Sequence, residues 1–258
     1  MLSTSRRAQV LARLDADGRA SVHALARDLG VTPSTIRRDL ARLAADGTLV
    51  RTYGGAAVRS ATPERDALDP RLAAKRAIGA AASALVEDGQ TIAISSGSTA
   101  LVLARHLVDR RLTVITNALD VVGVLLDRPG IELVVLAGVV RPGMHSMLGH
   151  LAELALRELR ADALFMGIGA ISAERGLMND SIPEILTDRA LRRAAQTCVV
   201  LADSTKLGTV APAYVFGIDE VDTLVTDADA DPGEVTALEA KGVRVILAGS
   251  PARRVARP

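Results

Sequence analysis

The clearest periodic pattern in the chain lies between residues 33 and 45. Thr32 can accept a backbone N–H of a first helical turn, and Pro33 suits the first helical position because its missing N–H costs nothing there. Three apolar residues then follow at spacings of four and three, as on one face of a helix: Ile36, Leu40 and Leu43. The pattern predicts an amphipathic helix over residues 33–45 with one face on a core.

The polar face of this helix carries short hydroxyls and two adjacent arginines. Hydroxyls suit phosphate oxygens, and an arginine fork suits a phosphate or the N7 and O6 atoms of guanine. A pair of arginines alone is more often a solvated helix face, so the neighbouring elements decide between these interpretations. A short helix over 21–30 that ends at Gly30, followed by a tight connector, gives helix-turn-helix spacing.

Two further elements complete a winged helix-turn-helix domain over residues 1–59. An earlier helix is predicted over 5–15, and residues 48–56 predict a hairpin with a Gly-Gly turn that would be the wing. The whole assembly favours binding to double-stranded DNA over a solvated face. The residues predicted to contact DNA are Thr32, Ser34, Thr35, Arg37, Arg38, Arg51 and Tyr53.

From residue 71 the pattern changes to short apolar runs separated by helical segments. Seven runs are predicted strands: 91–95, 113–116, 133–136, 163–167, 197–202, 223–226 and 243–248. Strands with few polar residues that alternate with helices indicate a largely parallel sheet covered on both faces. The fold class is therefore α/β, with a small winged domain before a larger parallel-sheet domain over residues 71–258.

Charge and composition support two domains with different partners. Residues 1–59 hold ten arginines and five aspartates, a charge of +5, whereas the rest of the chain holds 21 basic and 25 acidic residues, a charge of −4. Residues 60–70 are polar and bracketed by prolines, which predicts a linker. The longest apolar run, 133–140, is too short for a membrane span, and no signal peptide is recognised. The lone Cys198 excludes a disulfide framework, as is usual in a reducing compartment. We therefore expect a cytoplasmic protein.

Polar residues follow several of the predicted strands. Ser95–Thr99 joins hydroxyls and a glycine to the start of a helix, an arrangement suited to phosphate. Asn117, the segment from Gly138 to Arg141, and Asp203–Lys206 follow three other strands, and Lys206 is one of only three lysines in the chain. Each feature alone is more often ordinary capping or turn chemistry, but the carboxyl ends of parallel strands meet at one edge, which favours a small polyhydroxylated, phosphorylated ligand.

Other kinds of site are not predicted. Residues 167–172 resemble half of a dinucleotide fingerprint, but the third glycine is missing and a loop follows. His145 and His150 have no third metal ligand nearby, and no G-x-S-x-G elbow occurs. We therefore expect no cofactor, no metal and no catalytic site.

The motifs resemble those of the DeoR family of bacterial transcriptional regulators. The pattern TIRRDL-x-x-L-x-x-x-G-x-L-x-R-x-x-GGA, from Thr35 to Ala56, is similar to the DeoR-type helix-turn-helix. The second domain resembles the sugar-phosphate sensor of that family, itself similar to ribose-5-phosphate isomerase, through SGST at 96–99, TN at 116–117, RGL at 175–177 and LADSTKLG at 201–208.

This resemblance implies a repressor of a sugar-utilisation operon that a phosphorylated sugar releases from its operator, acting as a homodimer or higher even-numbered homo-oligomer. Ser96, Gly97, Ser98 and Thr99 would hold phosphate or sugar hydroxyls. The residues that would complete the pocket are Asn117, Gly138, Arg141, Asp180, Glu184 and Lys206.

The chain departs from the family pattern at four positions. Ser95 replaces an Asp, which removes a hydroxyl acceptor, and Ala137 replaces a Gly, which would narrow a backbone approach. Asp188 stands where a basic residue is usual, and Tyr53 where a wing His is usual.

Two alternatives to a ligand-released repressor remain open from the sequence. A sugar-phosphate isomerase could use Glu184, Asp180 and Lys206 for acid–base chemistry, although Ser95 removes a carboxylate and a winged helix is an unusual addition to an isomerase. A constitutive DNA-binding protein could keep the second domain for oligomerisation alone. The prediction is a regulator that is not an enzyme.

Overall fold

A computed structural model describes residues 6–7, 9–10, 19–45, 49–52, 55–58, 69–141 and 144–249. The chain divides into two compact units, a first unit over Met1–Pro70 and a second unit over Arg71–Pro258. Most of the predicted linker, the tip of the predicted wing at Tyr53 and Gly54, and most of the predicted helix over 5–15 lie outside the described residues.

The first unit contains two helices of a helix-turn-helix and a small sheet. Strand β1 (Arg19–Ser21) leads into helix α1 (Val22–Asp28), and helix α2 (Pro33–Ala45) has the bounds predicted from the sequence. The Thr35 N–H donates to Thr32 Oγ1 at 3.3 Å, the predicted N-terminal cap. Ile36, Leu40 and Leu43 are buried, as the apolar stripe requires.

The predicted wing is present as the strands β2 (Leu49–Thr52) and β3 (Gly55–Val58), which pair antiparallel. Strand β1 also pairs antiparallel with β3, so the sheet has three strands in the order β1-β3-β2. The pattern of the sequence did not predict β1, because a three-residue strand is too short to show alternation.

The second unit is built on a parallel sheet of seven strands. In chain order these are β4 (Thr91–Ile94), β5 (Leu112–Thr116), β6 (Ile131–Val135), β9 (Ala161–Gly167), β12 (Ala195–Leu201), β14 (Thr223–Asp227) and β15 (Arg244–Ala248). Their order in the sheet is β15-β14-β12-β9-β4-β5-β6. All seven predicted strands are confirmed, each to within two residues at either end, and so is the α/β fold class.

Helices cover both faces of this sheet. On one face Ile92 and Ile94 of β4 share a core with α3 (Leu72–Ser83), α4 (Ser98–His106) and α5 (Leu119–Leu125). On the other face Ala93 shares a core with α6 (His150–Glu158), α7 (Ile185–Ala194) and α8 (Pro232–Ala240). Because successive side chains of a strand point to opposite faces, strands covered twice must be apolar at nearly every position.

Five short strands that the sequence did not predict complete the second unit. Strands β7 (Val139–Arg141) and β8 (Ser146–Leu148) form an antiparallel pair. Strands β10 (Ala170–Ser172), β11 (Gly176–Asn179) and β13 (Ala213–Phe216) form a small antiparallel sheet that packs on the same core as α6, α7 and α8. Each has only three or four residues, so its apolar positions give no clear period.

The single cysteine lies in the middle of the large sheet. Cys198 on β12 is fully buried, and its backbone N–H donates to the side chain of Asp222 at 2.7 Å. Burial raises the pKa of the thiol to about 12. The prediction of a small core residue is therefore confirmed. No helix among the described residues combines the length and apolarity that a membrane span requires.

Candidate functional site

The start of α2 presents a group of polar side chains on the surface of the first unit. Thr32, Ser34, Arg37 and Arg38 are exposed, and Thr35 is half-buried. Thr32 Oγ1 lies 2.9 Å from the hydroxyls of both Ser34 and Thr35, so the three hydroxyls form one connected group at the positive end of the helix. The structure thus places all five predicted contacts of this helix on one accessible surface.

An ion pair that the sequence did not indicate holds the buried face of α2. Arg6 donates to both carboxylate oxygens of Asp39, at 2.6 Å from Nε and 3.3 Å from Nη2. Asp39 is buried, and its hydrogen bond to Arg6 raises the pKa of the guanidinium. Arg6 therefore stabilises α2 through an ion pair with its buried face.

The two predicted DNA contacts of the wing are only partly located. Arg51 lies on β2, where its backbone pairs with Ala56 of β3, but the position of its side chain falls outside the description. Tyr53 lies outside the described residues.

The second unit contains a cavity of about 260 Å³ at the carboxyl ends of its central strands. Residues directly after β4, β9 and β12 line it. Strands β4 and β9 are neighbours, but from β4 the chain continues outward to β5 and β6, whereas from β9 it continues to the opposite edge. Such a switch point leaves a crevice between the diverging connections, and this is where open α/β sheets bind ligands.

One side of the cavity is the loop Ser95–Thr99, which we call the hydroxyl loop. Gly97 has a φ of 126°, which L side chains rarely adopt, and it lets the chain turn directly into α4. The free N–H groups of the first turn of α4 and the hydroxyls of Ser96, Ser98 and Thr99 therefore belong to one small region. Lys75 Nζ lies 2.9 Å from Ser98 Oγ and brings a positive charge to it.

Ser95, which stands where the family pattern has an Asp, has a structural role. Its side chain is buried and accepts a hydrogen bond from the Gly167 N–H at 3.2 Å, while its hydroxyl donates to the Ser96 carbonyl at 3.3 Å. Ser95 also lines the cavity. It therefore fastens the ends of β4 and β9 together at the switch point, with a hydroxyl where the family pattern has a carboxylate.

A second part of the cavity lining, which we call the acidic wall, runs from the end of β11 to the first turn of α7. Its lining residues are Asn179, Asp180, Ser181, Glu184 and Asp188. Glu184 is buried and forms an ion pair with Arg141 at 2.9 Å, and the hydroxyl of Ser146 donates to the same oxygen at 3.1 Å. Glu184 is thus an ion-pair partner that holds Arg141 at the cavity.

Asp188 lies one helical turn after Glu184 and is also buried against the cavity. It accepts a hydrogen bond from Asn179 Nδ2 at 2.8 Å, and Asn179 Oδ1 in turn accepts from the Gly169 N–H at 2.9 Å. Burial, reinforced by the charge of Glu184, raises the pKa of Asp188 to about 7. The cavity therefore contains a carboxyl that gains or loses its proton near neutral pH.

Lys206 reaches the cavity from the loop after β12. The side chain of Asp203 accepts from the Thr205 N–H at 3.1 Å and so fixes the 3₁₀ turn Ser204–Lys206. With Lys75 and Arg141, Lys206 gives the lining three cations, against four carboxylates: Asp180, Glu184, Asp188 and Asp203. The cavity is thus strongly polar and carries both signs of charge.

The structure brings eight of the ten predicted effector residues together around this cavity: Ser96, Gly97, Ser98, Thr99, Arg141, Asp180, Glu184 and Lys206. It does not bring Asn117 and Gly138 there. Asn117 is buried beneath β8 and donates to the Met147 carbonyl at 3.3 Å. Gly138 packs so closely on β8 that an added Cβ would lie 2.4 Å from the Leu148 carbonyl oxygen.

Both residues therefore contact β8, and Ser146 of that strand donates to Glu184 of the cavity lining. Ala137 is exposed and does not line the cavity either, so its methyl group narrows nothing there.

Six lining residues with polar or charged side chains were not among the predicted effector contacts: Lys75, Ser95, Asn179, Ser181, Asp188 and Asp203. Lys75 lies on α3, before the first strand of the sheet, so no strand-end pattern could indicate it. Asn179 ends the short strand β11, which the sequence did not predict. Among the described residues no group of three or more His, Cys, Asp or Glu is arranged to hold a metal ion.

Comparison with known families assigns both units. The model of the DeoR-like helix-turn-helix domain matches residues 6–62, and that of the DeoR C terminal sensor domain matches residues 71–228.

Full-length relatives are described as regulators. The chain is 33% identical to a putative aga operon transcriptional repressor of Escherichia coli O157:H7, over 96% of this chain and 94% of that one. It is 32% identical to the HTH-type transcriptional regulator GolR of Listeria innocua, over 88% and 91%. Among solved structures, ribose 5-phosphate isomerase A of Methanocaldococcus jannaschii is similar over 51% of this chain and 52% of that one, with 21% identity and a TM-score of 0.39.

Proposed function

Because this chain belongs to the DeoR family of transcriptional regulators, which are DNA-binding proteins and not enzymes, we propose that it represses a sugar-metabolism operon and is released by a phosphorylated sugar. The observation that carries the proposal is the cavity at the switch point, where the hydroxyl loop, the first turn of α4 and two lysines meet. An isomerase activity is not proposed, since the relatives of the whole chain are regulators.

The chemistry of the cavity supports a phosphorylated ligand. A phosphate needs several donors converging on a small volume, and Ser96, Thr99 and the N–H groups at the start of α4 supply them. Lys75 and Lys206 add positive charge. Glu184 and Asp180 can accept hydrogen bonds from sugar hydroxyls on the other side of the cavity, with Arg141 as a further donor.

The chemistry of the first unit supports the DNA half of the proposal. The three connected hydroxyls of Thr32, Ser34 and Thr35 would contact phosphates of the DNA backbone. Arg37 and Arg38 would contact either base edges in the major groove or phosphates. Arg51 and Tyr53 are proposed as wing contacts. Two copies of the chain, in a cytoplasmic homodimer or larger even-numbered assembly, would place two α2 helices about one DNA turn apart, roughly 34 Å.

Release would follow if the ligand binds one arrangement of the chain better than another. A ligand shifts such an equilibrium only by its difference in affinity for the two states, so the sugar phosphate must bind the DNA-free state more tightly. The proposed division of labour is residues 1–59 for DNA, 60–70 as linker, and 71–258 for ligand and oligomerisation.

The test uses the few lysines of the chain as matched variants. A duplex selected by the wild-type protein from a random pool serves as the operator, and a panel of pentose and hexose phosphates is screened for its release by fluorescence anisotropy. Lys206→Met should keep operator affinity within about twofold but raise the concentration of the active sugar phosphate needed for release at least tenfold. Lys241→Met, at an exposed lysine just after α8, should match wild type in both measurements.

Two outcomes would contradict the proposal. If no sugar phosphate releases the duplex or shifts the melting temperature, the protein is a constitutive DNA-binding regulator. If Lys206→Met responds to the ligand as wild type does, the cavity is not the effector site.

A further inference from the structure

Charge pairing in the cavity is incomplete at one carboxylate. Glu184 pairs with Arg141 at 2.9 Å, Asp203 lies 3.8 Å from Arg71 and caps the Lys206 turn, and Asp180 is exposed to solvent. Asp188 is buried, and among the described residues no cation lies within 4.0 Å of it.

The groups that face Asp188 do not compensate a negative charge. Asn179 from β11 donates one neutral hydrogen bond at 2.8 Å, and the charge that acts on Asp188 is that of Glu184 on the preceding turn, which has the same sign. Arg141 is engaged with Glu184. A buried carboxylate needs a cation or several donors to remain ionised, so this position is complementary to a positive group.

A second observation points to a ligand at the same wall. The hydroxyl of Ser181 is buried and lines the cavity, and within the described part of the chain it has no hydrogen-bond partner. Buried hydroxyls normally form hydrogen bonds. The hydroxyl of Ser181 is therefore available to donate to, or accept from, a ligand that enters the cavity.

We propose that the effector is an aminated sugar phosphate, whose ammonium group is bound by Asp188 while its phosphate is held by the hydroxyl loop and the two lysines. This inference rests on the proposed function and specifies its ligand. The cavity lining then supplies a partner for each of the two charges of one molecule, and the departure from the basic residue usual in the family becomes the basis of selection. A neutral sugar phosphate would leave Asp188 without a cation.

The experiment compares ligands that differ by one group on the full-length protein. Isothermal titration at pH 7.5 measures glucosamine 6-phosphate against glucose 6-phosphate, and galactosamine 6-phosphate against galactose 6-phosphate. Wild type should bind at least one amino sugar phosphate tenfold or more tightly than its hydroxyl counterpart. N-acetylglucosamine 6-phosphate, which keeps the nitrogen but loses the charge, should lose at least tenfold against glucosamine 6-phosphate.

The variant Asp188→Asn should reduce the amine preference to about twofold or less. Asp127→Asn, the same change at an exposed residue after α5, should keep the full preference. Because the acetylated ligand tests wild-type protein, the inference can fail even if the variant does not fold.

The outcomes distinguish failure of this inference from failure of the proposed sugar-phosphate response. If the neutral sugar phosphates bind wild type as tightly as the amino ones, or if Asp188→Asn keeps the preference, the assignment of the amine to Asp188 is wrong and the sugar-phosphate proposal stands. If none of these ligands, nor any member of the wider sugar-phosphate panel, binds, both proposals fail together.

Discussion

The guanidinium of Arg71 lies 3.1 Å from the Oδ2 atom of Asp227 at the carboxyl end of β14. The same carboxylate accepts from the Ser204 N–H at 2.7 Å, and Arg71 also donates to the Ser204 hydroxyl at 2.6 Å. Ser204 begins the turn that ends at Lys206. The first residue of the second unit is therefore joined to the loop that carries one of the cavity's lysines.

The Asp227 carboxylate should contribute several kcal/mol to the free energy of unfolding of the second unit. Burial alone would raise its pKa, but the hydrogen bonds from Ser204 and Asp229 and the charge of Arg71 outweigh burial and lower the pKa. Asp227→Asn should lower the free energy of unfolding by about 2–4 kcal/mol at pH 7, because it removes the carboxylate closest to Arg71 and weakens the acceptor of the Ser204 N–H. Urea unfolding followed by circular dichroism measures the loss.

The sign of the pH dependence follows from the lowered pKa. A carboxyl that is more acidic in the folded state stabilises the protein above its unfolded pKa, near 4, and the stabilisation is lost as the pH falls through the folded value. The difference between wild type and Asp227→Asn should therefore shrink below about pH 4. Asp229→Asn is the control, since that exposed carboxylate lies 3.7 Å from Arg71 and should cost less than about 0.5 kcal/mol. Equal losses for the two variants would show that burial of Asp227 does not matter.

Asp188 should make the free protein less stable as the pH rises. Its pKa is raised from 3.8 to about 7, so between these values the folded state binds more protons than the unfolded chain, and stability falls across this window. Asp188→Asn removes this penalty. Relative to wild type, the variant should gain about 2–3 kcal/mol of stability between pH 5 and pH 8.

Thermal or urea unfolding at the two pH values, without ligand, measures this gain. Asp127→Asn should follow wild type at both pH values. A variant that loses stability at pH 8 would mean that Asp188 is ionised and stabilised by the fold.

Substitutions at two glycines can show whether Gly138 has a packing role or contacts the ligand. Gly138→Ala would place a methyl carbon 2.4 Å from the Leu148 carbonyl oxygen, and the strand backbone must shift to admit it. The second unit should lose about 1–3 kcal/mol of stability. Gly123→Ala in α5 meets nothing within 4 Å and should be neutral or gain up to about 1 kcal/mol. If Gly138→Ala melted as wild type but failed to respond to ligand, Gly138 would belong to the binding site after all.

The arginines of α2 should account for part of the salt dependence of DNA binding. Each phosphate contact that is removed lowers the slope of log affinity against log salt by about one. Arg37→Ala with Arg38→Ala should therefore reduce the slope by about one to two and weaken binding to the selected duplex at least tenfold at moderate salt. Fluorescence anisotropy over a salt series gives both values.

The control for this prediction is Arg244→Ala, an exposed arginine on β15 of the second unit. It removes one arginine charge, against two in the double variant, and should leave slope and affinity unchanged. If the double variant also left both unchanged, α2 would not be the element that contacts DNA.

What could be predicted from the sequence depends on how local the cause is. Helix α2 is determined by residues within its own turns, the cap at Thr32 and the stripe through Ile36, and its bounds were predicted correctly. The five inner strands of the large sheet were visible because both of their faces are largely buried, which leaves an apolar signal in the chain itself. The edge strands β6 and β15 are only partly buried but are still rich in apolar residues.

The cavity was predicted less completely because its residues come from distant parts of the chain. Lys75 on α3 meets Ser98 only after the sheet has formed, and the sequence between them shows no relation. Asn117 and Gly138 follow strands as the hydroxyl loop does, yet β8 covers them. Whether a strand-end residue faces a ligand or a neighbouring strand is decided by tertiary packing, which a motif does not record.

The buried thiol of Cys198 gives the protein an internal reporter. A pKa near 12, against an ordinary value of 9.0, lowers the thiolate fraction about a thousandfold, and burial adds a steric barrier to any reagent. Since the chain has one cysteine, labelling with a thiol-reactive dye can proceed only when the strands around β12 separate. The labelling rate of the unmodified protein would therefore measure how often the middle of the sheet opens, and ligands that tighten the sheet would slow that rate without any engineered probe.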